Sequence, residues 1–423
     1  MSALPGSPFL RRRDGALWLE ETELSALARR FGTPLFAYSA SAIRAALAPY
    51  QRALAGRPNL VCYAMKANSN QALLRMLAAA GCGFDIVSGG ELQRVLAAGG
   101  RADRVVFSGV GKARREMEVA LSAGVRCFNV ESTSELDALS AVASAMGKTA
   151  AISLRVNPDV DAKTHPYIST GLRGNKFGVA HDQALDTYRR AASLPGIRVV
   201  GVDCHIGSQI TAIEPYVEAL DRLLDLVESL EATGISLQHV DVGGGLGITY
   251  TDETPPSADE LLRALLARID TRGHGHREIL VEPGRSLVGN AGVLLTEVLV
   301  LKRGTERNFC IVDAAMNDLL RPALYNAWMA IEPCQQRGDP AERWDVVGPI
   351  CESGDWLGRD RPLAVREGDL LAVLSAGAYA MAMASNYNSR PRAAEVLVDG
   401  DQVTLVRRRE TIEELIQLEQ PRA

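Results

Sequence analysis

A repeating rhythm constrains this chain more than any other feature. Short apolar runs rich in β-branched residues occur at 60–66, 83–88, 104–109, 126–131, 150–156, 198–204, 237–242 and 278–282. The segments 70–80, 91–98, 113–123, 134–146, 181–193, 213–232 and 258–271 lie between them and carry apolar residues at three-to-four spacing. Short strands alternating with helices read as parallel βα units. Eight of them predict a closed (β/α)8 barrel of the TIM kind, with domain bounds 38–290, rather than an open doubly wound sheet. An open dinucleotide-binding sheet would carry Gly-x-Gly-x-x-Gly after its first strand, where this chain reads Lys66-Ala67-Asn68-Ser69.

Outside the rhythm the texture differs. Residues 17–19 read as a strand, followed by a helix that Thr22 can cap and Gly32 ends, then a strand at 34–38. Ser39 or Ser41 can cap the next helix, which runs to about Leu54. After Gly292 the segments 293–301, 309–312, 344–347, 370–374 and 395–406 are strand-like, and Asp399-Gly400 marks a hairpin turn. A short helix over 409–418 with Thr411 as its cap closes the chain. These features predict a second, mostly β domain (sandwich- or barrel-like) of residues 291–423, which residues 1–37 join.

Composition excludes several classes of function. At 423 residues there is room for two domains. A net charge of −5 with scattered arginines leaves no footprint for nucleic acid. The runs Arg11-Arg12-Arg13 and Arg407-Arg408-Arg409 are short enough to be solvated surface patches. No apolar run reaches the ~18–20 residues that span a bilayer, and the N-terminus has no apolar core of a signal peptide, so no membrane partner is expected. Seven widely spaced cysteines without a Cys-x-x-Cys pair argue for a reducing cytoplasm and against a zinc site or disulfide framework, and no metal is expected.

Functional residues of such a barrel gather at the C-terminal ends of its strands, with phosphate bound after strands seven and eight. Lys66 stands where the first strand runs out. It is one of six lysines, and the other five (Lys112, Lys148, Lys163, Lys176, Lys302) lie in polar, turn-like or loop-like sequence. A partly desolvated amine there would serve as a nucleophile toward a carbonyl, against the plainer reading of a strand-end lysine reaching for solvent. The second strand ends at Asp85, with Glu91 beyond; the sixth leads into His205-Ile206-Gly207-Ser208; the seventh into Gly243-Gly244-Gly245; the eighth into Glu282-Pro283-Gly284-Arg285. The glycines let backbone N–H groups approach an anion, and Arg285 adds charge. Gly147-Lys148-Thr149 imitates the tail of a P-loop, but Val142 replaces the required glycine and the stretch follows a helix. Amine, phosphate cradle and buried acid converge on pyridoxal 5′-phosphate, whose aldehyde needs an amine and whose pyridine nitrogen needs a carboxylate. Glu282 is the candidate for that carboxylate, and His205 could stack on the ring.

With these residues in view, the sequence resembles the diaminopimelate decarboxylases within the fold-type III group of pyridoxal-phosphate decarboxylases. The likeness runs from about residue 30 to 418. Beyond the stretches above it rests on His165-Pro166-Tyr167-Ile168-Ser169-Thr170-Gly171, Lys176-Phe177-Gly178, Arg321-Pro322-Ala323-Leu324-Tyr325, Cys351-Glu352-Ser353-Gly354-Asp355, Gly377-Ala378-Tyr379 and Asn386-Tyr387-Asn388-Ser389-Arg390-Pro391. The resemblance implies that Lys66 anchors the cofactor covalently and His205 stacks on it. Asp85, Ser208, Gly243, Gly244, Gly245, Glu282, Pro283, Gly284, Arg285 and Tyr379 would complete the cofactor site. It also implies that Arg285, Arg321, Tyr325, Glu352 and Tyr379 bind substrate. Cys351 would return the proton after CO2 leaves, and a homodimer would donate Cys351 and Glu352 across its interface. Arginine's fork suits a distal carboxylate and Glu352 a distal ammonium, as a diamino diacid requires. The alternatives are a related decarboxylase acting on ornithine, arginine, lysine or a biosynthetic intermediate, a racemase of the same barrel class, and an inactive binding protein of the same fold.

Overall fold

The computed structural model describes residues 4–162, 165, 168, 170–171 and 174–420. Lys163 and, from the 165–171 stretch, Pro166, Tyr167 and Ser169 lie outside the described residues. The chain divides into two units: Leu47–Gly247 with Thr254–Ser286, and Met1–Ala46 with Ile248–Glu253 and Leu287–Ala423.

Eight parallel strands make the barrel of the first-named unit: Asn59–Ala64, Gly83–Ile86, Val105–Phe107, Cys127–Val130, Ala150–Asn157, Ile197–Asp203, His239–Asp241 and Glu278–Val281. They pair in chain order, and the eighth closes on the first through Leu280 opposite Leu60. Leu60, Cys62, Val106, Cys127, Val200 and Leu280 form one buried cluster. That burial is why these strands read as continuous apolar runs.

Several of the helices between the strands start on sequence-encoded caps. Ser88 accepts the Glu91 N–H ahead of Gly89–Ala97, Ser132 accepts the Glu135 N–H ahead of Thr133–Ala145, and Ser257 and Glu260 cap Ala258–Thr271 reciprocally. Gly89–Ala97 and Thr133–Ala145 therefore begin within a few residues of Ile86 and Val130, where the second and fourth strands end. No helix among the described residues is long and apolar enough to cross a membrane.

The other unit is built on a nine-stranded sheet. Leu35–Ser39, buried along its whole length, lies between Gly292–Lys302 (antiparallel) and Ala394–Asp399 (parallel). Gly292–Lys302 also pairs with Leu370–Val373 and, past an irregularity at Val298–Val300, with Phe309–Val312. Its core gathers Leu17, Leu19, Leu24, Leu27, Leu35, Leu295, Val396 and Val398. Asp399 and Gln402 face each other across the expected hairpin, with Gly400 at φ +64°.

Several local expectations change. Thr22 pairs with Leu19 in a short ladder, so Leu24–Phe31 starts from Glu23 with no side-chain cap. Arg11–Arg13 are half-buried residues of the strand Leu10–Arg13, paired with Ala16–Leu19, rather than a solvated patch. Trp356–Leu363 is a strand that the sequence did not reveal, since Gly358, Asp360 and Pro362 break its alternation. Lys112, assigned by sequence to polar surroundings, is fully buried through its side chain.

Candidate active site

Lys66 sits just beyond the first strand, in the 3-10 turn Met65–Ala67. Its Nζ lies 2.5 Å from Asp85 Oδ2, at the end of the second strand. The side chain of Asp85 is fully buried while that of Lys66 is about one-third exposed. The lysine is thus held by a buried counter-charge, where sequence reasoning expected only a loss of solvent.

Three carboxylates from neighbouring strand ends, Asp203, Asp241 and Glu282, place oxygens within 4.8 Å of one another, all buried. Removing three acids from water favours their neutral forms and each opposes ionisation of the next. Burial, then Asp241 and Asp85, raise the Glu282 pKa well above the carboxylate range. Burial raises Asp241 to about 7, against the Gly243 N–H that its Oδ1 accepts at 2.9 Å. Asp203 moves the same way, with Arg155 opposing. Acids at the C-terminal ends of buried strands are the signal that could have identified Asp203 and Asp241 from sequence.

His205 Nδ1 accepts the Gly244 N–H at 3.2 Å, which assigns the proton to Nε2 and leaves the ring neutral. Burial, then the Arg155 and Lys66 cations, push its pKa well below the ordinary value. The described part of the 165–171 stretch docks on the same loop: Thr170 Oγ1 donates to the His205 carbonyl at 2.8 Å, and the Ser208 N–H donates to the Ile168 carbonyl at 3.1 Å.

The glycines after the seventh strand answer a packing demand. A Cβ at Gly243 would lie 2.3 Å from the Cys204 carbonyl oxygen, and one at Gly244 2.0 Å from that of Glu282. Gly243 (φ +69°) and Gly245 (φ +103°) also adopt left-handed backbone. Two of the three amides expected to cradle an anion, those of Gly243 and Gly244, are committed to Asp241 and His205. Close by, Arg285 donates to Ser208 Oγ from Nε (3.3 Å) and Nη2 (3.0 Å), and the Pro283 carbonyl accepts the Ala64 N–H beside Lys66. A Cβ at Gly284 would crowd Ala64 and Ala67 at 3.2–3.3 Å. Asp85, His205, Ser208, Gly243–Gly245, Glu282 and Arg285 therefore share one rim with Lys66.

In the β-rich unit, Arg321 opens the helix Arg321–Tyr325, is buried, and stands with its guanidinium 4.5 Å from the centre of the Tyr250 ring. Tyr325 is half-buried. Asp355 organises the loop carrying Cys351 and Glu352: its Oδ1 accepts the Met316 N–H and its Oδ2 the Ile350 N–H, each at 2.7 Å. Cys351 and Glu352 project from that loop, both exposed, with the Cys351 N–H bound to Asn388 Oδ1 at 2.8 Å. Cys351 is the exposed cysteine among seven free thiols. Tyr387 hydrogen-bonds Glu352, which raises the phenol pKa. Tyr379 holds a positive φ of 54°, an unusual conformation for a bulky residue.

The residues fit pyridoxal phosphate: a lysine beside an acid, a neutral imidazole, a buried carboxyl whose pKa burial raises, and an arginine–serine pair lie on one rim. A family model described as the pyridoxal-binding domain of pyridoxal-dependent decarboxylases matches residues 40–289. The diaminopimelate decarboxylase of Pseudomonas aeruginosa is 59% identical over 404 residues, covering 95% of this chain and 96% of that protein. That of Vibrio cholerae is 55% identical over 411 residues, covering 97% and 98%. The crystal structure of diaminopimelate decarboxylase from M. jannaschii in co-complex with L-lysine superimposes with a TM-score of 0.94 at 38% identity, covering 99% of both chains.

Proposed function

The chain belongs to the diaminopimelate decarboxylases, and on that premise we propose how its side chains divide the work of converting meso-2,6-diaminopimelate to L-lysine and CO2, the last step of lysine biosynthesis. The observation that carries this reading is the pairing of Lys66 with Asp85 on the rim that also presents Glu282 and His205. Bound pyridoxal phosphate supplies an aldehyde that captures amines and a protonated pyridine that receives the electron pair left by CO2.

Lys66 would hold the cofactor through its aldehyde, the group that a substrate amine also engages. Asp85, 2.5 Å away, is placed to take the proton that Lys66 loses in acting as a nucleophile. Glu282, whose pKa burial raises well above its ordinary value, would hold the pyridine nitrogen and share a proton with it, keeping the ring protonated. His205, neutral and anchored through Nδ1, would stack on the ring without adding charge. Arg285, Ser208 and the Gly245 N–H carry the phosphate, because the neighbouring glycine amides already serve Asp241 and His205. Pro283 and Gly284 shape that turn. Arg321 takes the distal carboxylate, Glu352 the distal ammonium, and Tyr325, Tyr379 and Arg285 contact the substrate. Cys351 returns a proton to the carbon that lost CO2.

Exposure of Cys351 and Glu352 on their own chain supports a homodimer in which each copy lends them to the other. Seven free thiols are in keeping with action in the cytoplasm. Incubating the purified protein with pyridoxal phosphate and meso-diaminopimelate should yield lysine and CO2 in equal amounts. Turnover of ornithine, arginine or lysine in preference to diaminopimelate would overturn the substrate assignment.

A further inference from the structure

Glu131 lies just past the fourth barrel strand, with its side chain 2% exposed. It accepts from three places on the rim. Its Oε1 takes the Gly109 N–H at 2.9 Å, from the loop after the third strand, and pairs with Arg155 Nη1 of the fifth strand at 3.2 Å. Its Oε2 takes the Gly178 N–H at 3.0 Å, where the chain re-enters the barrel edge beside Val156 and Asn157. Both glycines have positive φ, +98° and +74°, so both amides sit on backbone that other residues adopt at a cost.

Glu131 is itself fixed from behind. Its own N–H donates to Glu135 Oε2 at 2.9 Å. Glu135 Oε1 holds the buried Lys112 Nζ at 2.7 Å, and that ammonium also donates to the carbonyls of Gly109 and Asn129. Two cations and two anions thus form a charge-balanced buried set, a costly arrangement to maintain unless every member is paired.

Arg155 links this set to the buried acids of the rim. Its guanidinium lies 4.9 Å from the centre of the Phe177 ring and is electrostatically coupled to Glu131, Asp203, Glu282 and Asp85, and also acts on His205. We propose that Glu131 is a positioning residue for the decarboxylation, fixing Arg155 among the acids that face the cofactor and locking the rim loops at Gly109 and Gly178 to the same carboxylate. This rests on the cofactor reading above.

The charged groups that bear on the acid floor are Arg155 and Glu131 from the fifth and fourth strands, Asp85 and Lys66 from the second and first, and Asp203, Asp241 and Glu282 from the sixth to eighth. His205 faces them uncharged. Replacing Glu131 by Gln removes the anion that Arg155 shares, leaves the centre one charge more positive, and favours ionised acids and deprotonated amines at lower pH.

The test compares wild type, E131Q, E131D, R155M and the charge-neutral pair E131Q/R155M. E131Q should lower kcat about ten-fold with little change in KM. It should also move the pH midpoint of the bound-cofactor visible absorbance down by about half a pH unit. E131D, which keeps the charge, should restore the midpoint but not the full kcat. In the R155M background E131Q should add little to either readout. An unchanged absorbance midpoint in E131Q, or effects of the two substitutions that simply add, would overturn the proposal. If E131Q does not fold, the pair is compared with R155M alone, and a further shift there would overturn it equally. Failure of wild type to decarboxylate diaminopimelate would instead remove the substrate reading, leaving the absorbance titration to judge Glu131.

Discussion

At the scale of single residues, the site is an exercise in where charge is allowed to reside. Lys66 stands out by sequence position, yet the structure also pairs it with an acid, Asp85. Lys66→Ala should abolish the visible absorbance that the bound cofactor otherwise shows and lower turnover about a thousand-fold or more. Retention of that absorbance would refute Lys66 as the anchor. Asp318, in the β-rich unit, offers a test on stability. It is buried with its Oδ2 accepting the Ala315 N–H at 3.1 Å, and burial raises its pKa from 3.8 to about 7, against Arg390 and Arg409. Between those values the folded chain holds a proton that the unfolded chain has released. Stability therefore falls as pH rises from about 4 to 7 and levels off above. Asp318→Asn keeps an acceptor for that N–H without the charge. It should flatten this slope and raise Tm at pH 8 relative to wild type, measured by thermal melts at pH 5 and pH 8. A variant destabilised equally at both would show that the carboxylate is not the strained group.

At the scale of elements, caps and glycines set where several of the strands and helices begin and end. The reciprocal cap of Ser257 and Glu260 lies on the surface. Ser257→Ala should cost about 1 kcal/mol in chemical denaturation and leave kcat unchanged. Gly244 is a different kind of position, because a side chain there would run into the Glu282 carbonyl at 2.0 Å. Gly244→Ala should weaken cofactor binding by displacing the strand end that presents Glu282, measured by equilibrium titration of the apoprotein. Unaltered affinity would mean that the two strand ends can part without consequence. These elements were largely legible in the sequence. All eight barrel strands fall where apolar runs predict them, because a strand buried on both faces needs no tertiary information to look apolar. The failures have one cause. Leu10–Arg13 and Trp356–Leu363 are made of charged, glycine- and proline-interrupted residues whose strand state depends on the partner they pair with, Ala16–Leu19 and Glu342–Val347.

At the scale of the whole molecule, the N-terminal segment is a structural component of the β-rich unit. Leu35–Ser39 fills the place between Gly292–Lys302 and Ala394–Asp399. Deleting residues 1–39 would leave two unpaired, apolar edges, and should convert soluble protein to aggregate. Recovery of a folded monomeric remainder by gel filtration and circular dichroism would refute that. The sequence by itself determined the barrel rhythm, the glycine and lysine positions on its rim, and the motifs of the β-rich unit, since each is written within a few consecutive residues. Only the tertiary structure decided the electrostatics. Closing the barrel brings Asp203, Asp241 and Glu282 within 4.8 Å of one another, commits the Gly243 and Gly244 amides to protein partners, and buries Lys112 and Glu131 in a network that reaches Arg155. Those charges are far apart along the chain, and the interaction of each depends on burial and distance, which local sequence does not encode. Lys66 could be found by reading along the chain; Glu131 could be found only across it.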